Sequence, residues 1–515
     1  MKNNFYRLLI GVLFAASCKS LQKTVSKDDG KITVHFVQVN DVYEIAPLNG
    51  GTEGGMARVA SIKKKYLQQN PNTFLIMAGD FLSPSVYNSL QYEGQAIRGK
   101  QMVAAMNAAG MDLAIFGNHE FDIKETELLQ RINESNFQWI ASNTFHKRND
   151  TVVPFAKTNP GNSANPFPAT YIKTVTDADG TVATIGFIGI TLPFNKAAYV
   201  SYTDPLATAK TLYNQIKDSV DAVVAITHQS IEEDEILAKE IPGLAVIIGG
   251  HEHDQYFEKT GNVYITKALA NARSAYILAL TIDPKNKTVK VDPTLELLNL
   301  DVTLDSATNR VVQHWATIAN NSYAALGFNA TAVVLQSGEP LDGRETAIRS
   351  RATNFTKMVV AAVTKAAPGA DVVIVNAGSI RVDDILHMPV TQYDILRSLP
   401  YGGSIKEIKI NGALLLQILE AGLKNKNTGG FLHHNEGLHR NVTSGTWLLN
   451  DVAIDSIKTY RVALNDFLLS GGEANLHFLN PGNKDIVIVN DAGAANAAMR
   501  SDIRQAIVSY LNSSH

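Results

Sequence analysis

Aspartates, an asparagine and histidines recur in the first half of this chain at the ends of short apolar runs. Their types suit metal-assisted hydrolysis. The runs ITVHFVQVN, TFLIMAG, DLAIFG, DAVVAIT and GLAVIIGG lead into Asp41, Asp80, Asn118-His119, His228 and His251-Glu252-His253. Carboxylate and amide oxygens are hard donors and imidazole nitrogen is borderline, so the mixture suits Zn, Mn, Co or Fe better than Mg. A carboxylate between two such cations bridges them at roughly 3.5–4 Å, and the pair polarises a phosphate and generates hydroxide from bound water near neutral pH. Gly117-Asn118-His119-Glu120 or Gly250-His251-Glu252-His253 alone would be moderate evidence; the whole ordered series points to a two-metal hydrolase. His35 lies inside the first run and reads as a packed core residue.

Each run is short, Val- and Ile-rich and bounded by Gly, Asp or Asn, which is the pattern of a buried strand followed by a loop. Ligands of open α/β sheets collect beyond the carboxyl ends of such strands. Helical periodicity is expected over 57–69, 99–109, 124–133, 205–219 and 232–240; Met102, Val103, Met106 and Ala109 mark one buried face. Lys63-Lys64-Lys65 reads as a solvated helix face. PKNKTVKVDP reads as a hairpin or edge element, and 305–326 as a helix linking two domains, closed by Gly327-Phe328-Asn329. The second half alternates apolar runs with helical stretches at 354–366, 413–423 and 492–511. The fold class is therefore α/β, with two domains in 515 residues.

Composition is that of an ordinary globular protein, with 45% hydrophobic and 18% charged residues. A net charge of -3 gives no electrostatic case for a nucleic-acid polymer as partner. Lys2 and Arg7 precede an apolar stretch over 8–16, too short to span a bilayer and suited to a secretory signal peptide. It ends in Ala15-Ala16-Ser17-Cys18, which resembles a bacterial lipoprotein cleavage site and contains the single cysteine of the chain. Residues 1–18 are thus expected to be a lipoprotein-type signal and 19–30 a polar tether. The protein is expected to be exported and held by lipid on Cys18 in the cell envelope, as an outer-membrane protein on its periplasmic or surface face, and to be a monomer or weak dimer.

The order Asp, Gly-Asp, Gly-Asn-His-Glu, strand-terminal His and Gly-His-x-His resembles the calcineurin-like metallophosphoesterase superfamily. Over about 31–513 the chain resembles the secreted 5′-nucleotidase family, which includes UDP-sugar hydrolases. That resemblance implies a layered metallophosphoesterase β-sandwich with flanking helices over 31–300, a linker helix over 301–329, and a second, mixed α/β nucleotide-binding domain over 330–515. By position, Asp41, Asp80 and His253 would hold one metal and Asn118, His228 and His251 the other, with Asp80 shared. His119 matches the catalytic histidine and Asp122 its carboxylate partner. Arg349 and Arg381 fall on the arginines that hold the anionic end of the substrate, and Arg344 lies one residue from a third. Tyr401 and Phe467 match the aromatics that sandwich the base, and Asn376 a residue near the sugar or base.

The sequence departs from the family pattern in several places. Tyr43 stands where the first block usually has histidine. Either it packs and that metal is held weakly, or a tyrosinate binds it. The latter needs a strongly polarising cation and favours ferric iron, hence a mixed-valence pair, by analogy with purple acid phosphatases. Gly403 replaces an Asn, Gly471-Gly472-Glu473-Ala474-Asn475 replaces Gly-Gly-Asp-Gly-aromatic, and His433-His434 reads as an exposed loop. The expected activity is phosphate removal from nucleoside 5′-monophosphates. The alternatives are hydrolysis of 2′,3′-cyclic nucleotides or UDP-sugars in the same centre, and a surface binding lipoprotein with a decayed metal site.

Overall fold

The computed structural model describes residues 29–158, 163–489 and 496–513. The segment 1–18, its Cys18 and most of the tether fall outside them. The five apolar runs are strands, divided between two six-stranded sheets. In the first sheet Ile32–Val39, Thr73–Met77, Leu113–Ile115 and Gln138–Ile140 are parallel neighbours, extended by the antiparallel strands Ser274–Asp283 and Thr288–Leu297. In the second, Val182–Thr191, Ala222–His228, Val246–Gly250 and Val263–Lys267 run parallel in that order. Period-2 side chains from both sheets meet between them: Phe36, Ile76 and Ile115 face Phe187, Ile226 and Ile248, all fully or almost fully buried. The Phe36 and Phe187 rings meet edge to face at 5.6 Å between centroids.

Helices cover the outer faces. Met56–Gln69 and Lys100–Ala109 lie on the first sheet, and Pro205–Ile216 and Ile231–Glu240 on the second. Ser230 caps the last of these two residues after His228: its Oγ accepts from the Glu233 amide while the Glu233 carboxylate accepts from the Ser230 amide. Such a cap contributes about 1 kcal/mol and fixes the turn that leaves the strand.

The expected linker is the helix Ser306–Ala325, capped by Asp305. It is no free spacer: Val312, Trp315, Ala319 and Tyr323 are buried in one apolar cluster with Met102 and Met106 of the first half and Phe355 and Ile503 of the second. The PKNKTVKVDP segment carries the turn into Thr288–Leu297, the edge strand of the first sheet.

The second half has a five-stranded sheet in the order Leu432–His434, Val372–Asn376, Thr459–Asn465, Ile405–Asn411, Val487–Val489. Val372 and Ile374 pack with helix Gly412–Lys424 on one face, and Val373 and Val375 with Asn354–Ala366 and Ile503–Asn512 on the other.

Three expectations need correction. Lys63 is not solvated; it is buried and pairs with Asp112 at 2.7 Å, because its helix lies on the loop before Leu113. The last helix is broken into Ala497–Ser501 and Ile503–Asn512, since Asp502 takes an extended conformation and its carboxylate caps the second piece. His433 is buried in an edge strand beside Val375 rather than exposed in a loop, and burial pulls its imidazole down to about 4. His35, as expected, packs edge-on against Tyr66.

Candidate metal centre and facing cleft

The parallel strands of both sheets point their carboxyl ends to one region, and the loops there bring the sequence-predicted side chains together. Asp41, Asp80 and His251 all have positive φ, at 52°, 55° and 85°. Non-glycine residues in that region cost on the order of 1–3 kcal/mol each, a strain held by the surrounding fold. The neighbouring glycines leave no room for side chains: a Cβ at Gly79 would press on the His228 ring and the Gly117 backbone, and one at Gly250 on Ala78 and His228.

Ligand atoms of Asp41, Asp80 and His228 lie within 4.8 Å of one another, and all three residues are buried. His228 Nε2 is 3.1 Å from Asp80 and 3.9 Å from Asp41. Its Nδ1 is 2.8 Å from the Ala78 carbonyl, which leaves Nε2 as the ring atom turned to the carboxylates. Asn118 Oδ1 is buried with no hydrogen-bond partner, as expected of an amide oxygen meant for a cation. The ring of His251 is 5.4 Å from that of His228. His253 Nε2 is 3.7 Å from Asp41 Oδ1. Tyr43 Oη lies among these atoms, 3.0 Å from His253 Nε2, 3.2 Å from Asp80 and 3.4 Å from Asp41. The donor set fits transition-metal cations of mixed N and O ligation.

Electrostatics agree with a site built for positive charge. Burial would lower the His228 imidazole, but Asp80 and Asp41 outweigh it and raise it to about 10. Burial opposed by Asp383 and Asp41 leaves His253 raised to about 9. Burial and the neighbouring His228 hold His251 down to about 3, so it stays neutral and ready to donate a lone pair. Tyr43 is pushed well above its ordinary value by burial and the surrounding carboxylates, so without a cation it is a phenol.

Beside this centre His119 Nδ1 and Asp122 Oδ2 are 2.6 Å apart, and the His119 amide donates to Asp80 at 2.8 Å. Burial opposes the imidazolium, but Asp80 and Asp122 prevail and raise it. The second half closes over this pair. Arg381 reaches to 3.7 Å from Asp122, and the Arg349 guanidinium is held by Glu345 at 2.5 Å. Asn376 accepts from Asn465 at 3.1 Å and donates to Glu473 at 2.9 Å. Tyr401 and Phe467 are 58% and 48% exposed, and their loops are pinned together by Ser404 donating to Asp466 at 2.8 Å. Arg344 is exposed and forked onto Asp342 at 2.9 and 3.0 Å.

Several neighbours of the site had no role assigned from the sequence pattern. Glu120 is fully buried and accepts from the amides of Asp80, Phe81, Leu82 and Gly117 at 2.6–3.0 Å, which fixes two site loops to each other. Asn40 ties Asp41 to Ala268, and Asn195 donates to Asp122. Buried Lys267 pairs with Asp234 at 3.0 Å and with Glu252, between the two His of the last block. Glu120 had a visible place in the Gly-Asn-His-Glu block; the others depend on the fold.

A model of the calcineurin-like phosphoesterase family matches residues 34–255, and one of the 5′-nucleotidase C-terminal domain matches 330–479. The chain is 24% identical to a 5′-nucleotidase of Bos taurus over 479 residues, 82% of this chain and 78% of that protein. It is 25% identical over 466 residues to the trifunctional nucleotide phosphoesterase protein YfkN of Bacillus subtilis, across 81% of this chain and 31% of that longer protein. The fold is shared with a 5′-nucleotidase precursor from Thermus thermophilus at TM-score 0.67 and 21% identity, covering 94% and 96% of the two chains. A sulfate thiohydrolase from Thermus thermophilus has the same fold at TM-score 0.62 and 14% identity, covering 93% and 94%. Overall shape therefore does not select the substrate.

Proposed function

Because the chain belongs to the family that joins a calcineurin-like phosphoesterase domain to a 5′-nucleotidase C-terminal domain, we propose that it removes phosphate from nucleoside 5′-monophosphates. The observation that carries this reading is the placement of Arg381, from the second half, against the His119–Asp122 pair of the first. A phosphate held beside this pair would meet a guanidinium on one side and the candidate metal centre on the other.

In this reading Asp41, Asp80, Tyr43 and His253 would hold one cation, and Asn118, His228 and His251, with Asp80, would hold the other. When bound, such a pair supplies Lewis acidity toward phosphoryl oxygens and an activated water; Zn, Mn, Co and Fe fit, with ferric iron the option at Tyr43. The remaining work falls to side chains. Asp122 fixes Nδ1 of His119, which leaves Nε2 to give a proton to the departing ribose oxygen. Arg381 and Arg349 neutralise and orient the phosphate. Tyr401 and Phe467 offer faces to the base, and stacking contributes on the order of 1–3 kcal/mol whichever base is present. Asn376 is buried with its amide held by Asn465, Ser379 and Glu473, and in this reading it would support the wall near the sugar or base. The Ala15-Ala16-Ser17-Cys18 segment supports export and lipid anchoring.

Phosphate release from AMP with Mn or Zn tests the reading, with His119→Asn as the control. The variant is expected to lose about 10²–10⁴-fold in kcat; undiminished turnover would remove His119 from the mechanism. The similarity to a trifunctional nucleotide phosphoesterase favours running 2′,3′-cyclic nucleotides and a UDP-sugar alongside AMP. Elemental analysis of the same preparation should give two equivalents of transition metal, and none would defeat the enzyme reading.

A further inference from the structure

We propose that Asp383, a residue of the second half, is a positioning residue for His253, so that closing the cleft completes one of the two metal sites and not the other. The inference rests on the two-metal reading above and adds a coupling between domain arrangement and metal retention.

A histidine ligates through one ring nitrogen, and its tautomer and orientation are set by an acceptor at the other. For His228 that acceptor is the Ala78 carbonyl, which belongs to the same half of the molecule. His253 differs. Its Nδ1 is 3.0 Å from Asp383 Oδ2 and 3.1 Å from the Asp383 carbonyl oxygen, 130 residues away in sequence. Two acceptors at Nδ1 favour a proton there, so that once a cation displaces the other proton the ring would present Nε2 toward Asp41 and Tyr43. Asp383 is itself held. Its other carboxylate oxygen accepts from the Glu345 amide at 2.5 Å, and its backbone sits at φ 39°.

The residues around Asp383 show that this contact belongs to a larger arm. Arg381 meets Asp122 of the candidate catalytic pair. Asp384 forms an ion pair with Arg273 of the first half and lies 3.5 Å from Arg397 of its own. Within four residues, the loop thus carries the substrate-facing arginine, the acceptor for one metal ligand and one of the ion pairs between the halves. Any displacement of this loop from the first half would withdraw all three together. The cation at Asp41, Tyr43 and His253 would then lose its oriented imidazole, while His228 would keep its own.

The test uses the full chain, stripped of metal and titrated with Mn or Zn against a chromophoric chelator. In Asp383→Ala one of the two sites is expected to weaken by about 10–100-fold, the usual cost of losing such a partner, with the other unchanged. Asp383→Glu should recover most of the loss. Arg273→Gln, which breaks the ion pair to Asp384 without touching His253, should weaken the same site; a purely local role for Asp383 would not produce that result. Two sites of unaltered affinity in Asp383→Ala, or two sites weakened alike, would overturn the proposal while leaving the enzyme reading in place. Unmodified protein that binds no metal would remove both. If the alanine variant fails to fold, as judged by its melting curve, Asp383→Gly, which suits the positive φ and also lacks the carboxylate, serves in its place, with the same two outcomes.

Discussion

Tyr43 shows how one substitution in a ligand block changes the chemistry available. Its oxygen sits within 3.4 Å of Asp41, Asp80 and His253, where the family pattern has an imidazole. Carboxylates on every side and burial keep it protonated until a cation arrives, so only a strongly polarising ion can turn it into a ligand. Iron-loaded protein is therefore expected to show a visible tyrosinate–metal absorption band, and Tyr43→Phe to abolish it. A colourless iron-loaded protein that keeps its activity as Tyr43→Phe would leave Tyr43 as a neutral donor to Asp80. At this scale the sequence was informative wherever residue type alone carries the chemistry, as for Asp80, Asn118 and His228. It was silent on Asp383 and Asn195, whose roles come from a hydrogen bond across the fold and not from what they are.

The strand ends decide whether those ligands meet. Gly117 follows strand Leu113–Ile115, and a Cβ there would overlap Asp80 Oδ1. Its neighbour Glu120 holds the Asp80 and Gly117 amides at 2.8 and 2.6 Å, so the two loops cannot separate to make room. Gly117→Ala should therefore keep the sandwich fold, seen by circular dichroism, yet weaken metal binding by at least about tenfold in a chelator competition. Native affinity in that variant would mean that the loops are softer than this packing implies. Most elements were legible because their period and their caps agree, as in Asn354–Ala366 and the Ser230-capped helix. Exceptions arose where tertiary contacts override local pattern. Lys63 finds Asp112 inside the fold, and Asp502 interrupts a periodic segment by capping its second part.

The arrangement of the two halves depends on contacts no local pattern encodes, and Glu44 is the most consequential. It lies next to Tyr43 and accepts a hydrogen bond from Tyr393 of the second half. Burial raises its carboxyl to about 7, with Tyr393 and Arg397 offsetting only part of the effect. In the unfolded chain a glutamate titrates near 4.3, so the folded molecule binds this proton more tightly. The stability gained is present in full below the unfolded value and is lost as pH rises through about 7. Above that the folded form carries a buried charge, at a cost on the order of 3 kcal/mol. Glu44→Gln retains an acceptor for Tyr393 and removes the charge. It should melt at a higher temperature than the unmodified protein at pH 8, and the gap should shrink or reverse at pH 4, where Glu44 is neutral. Equal gaps at both pH values would show that the substitution acts through packing. A variant less stable at pH 8 would show that Arg397 compensates the carboxylate in full, so that Glu44 helps to hold the halves together in its charged form.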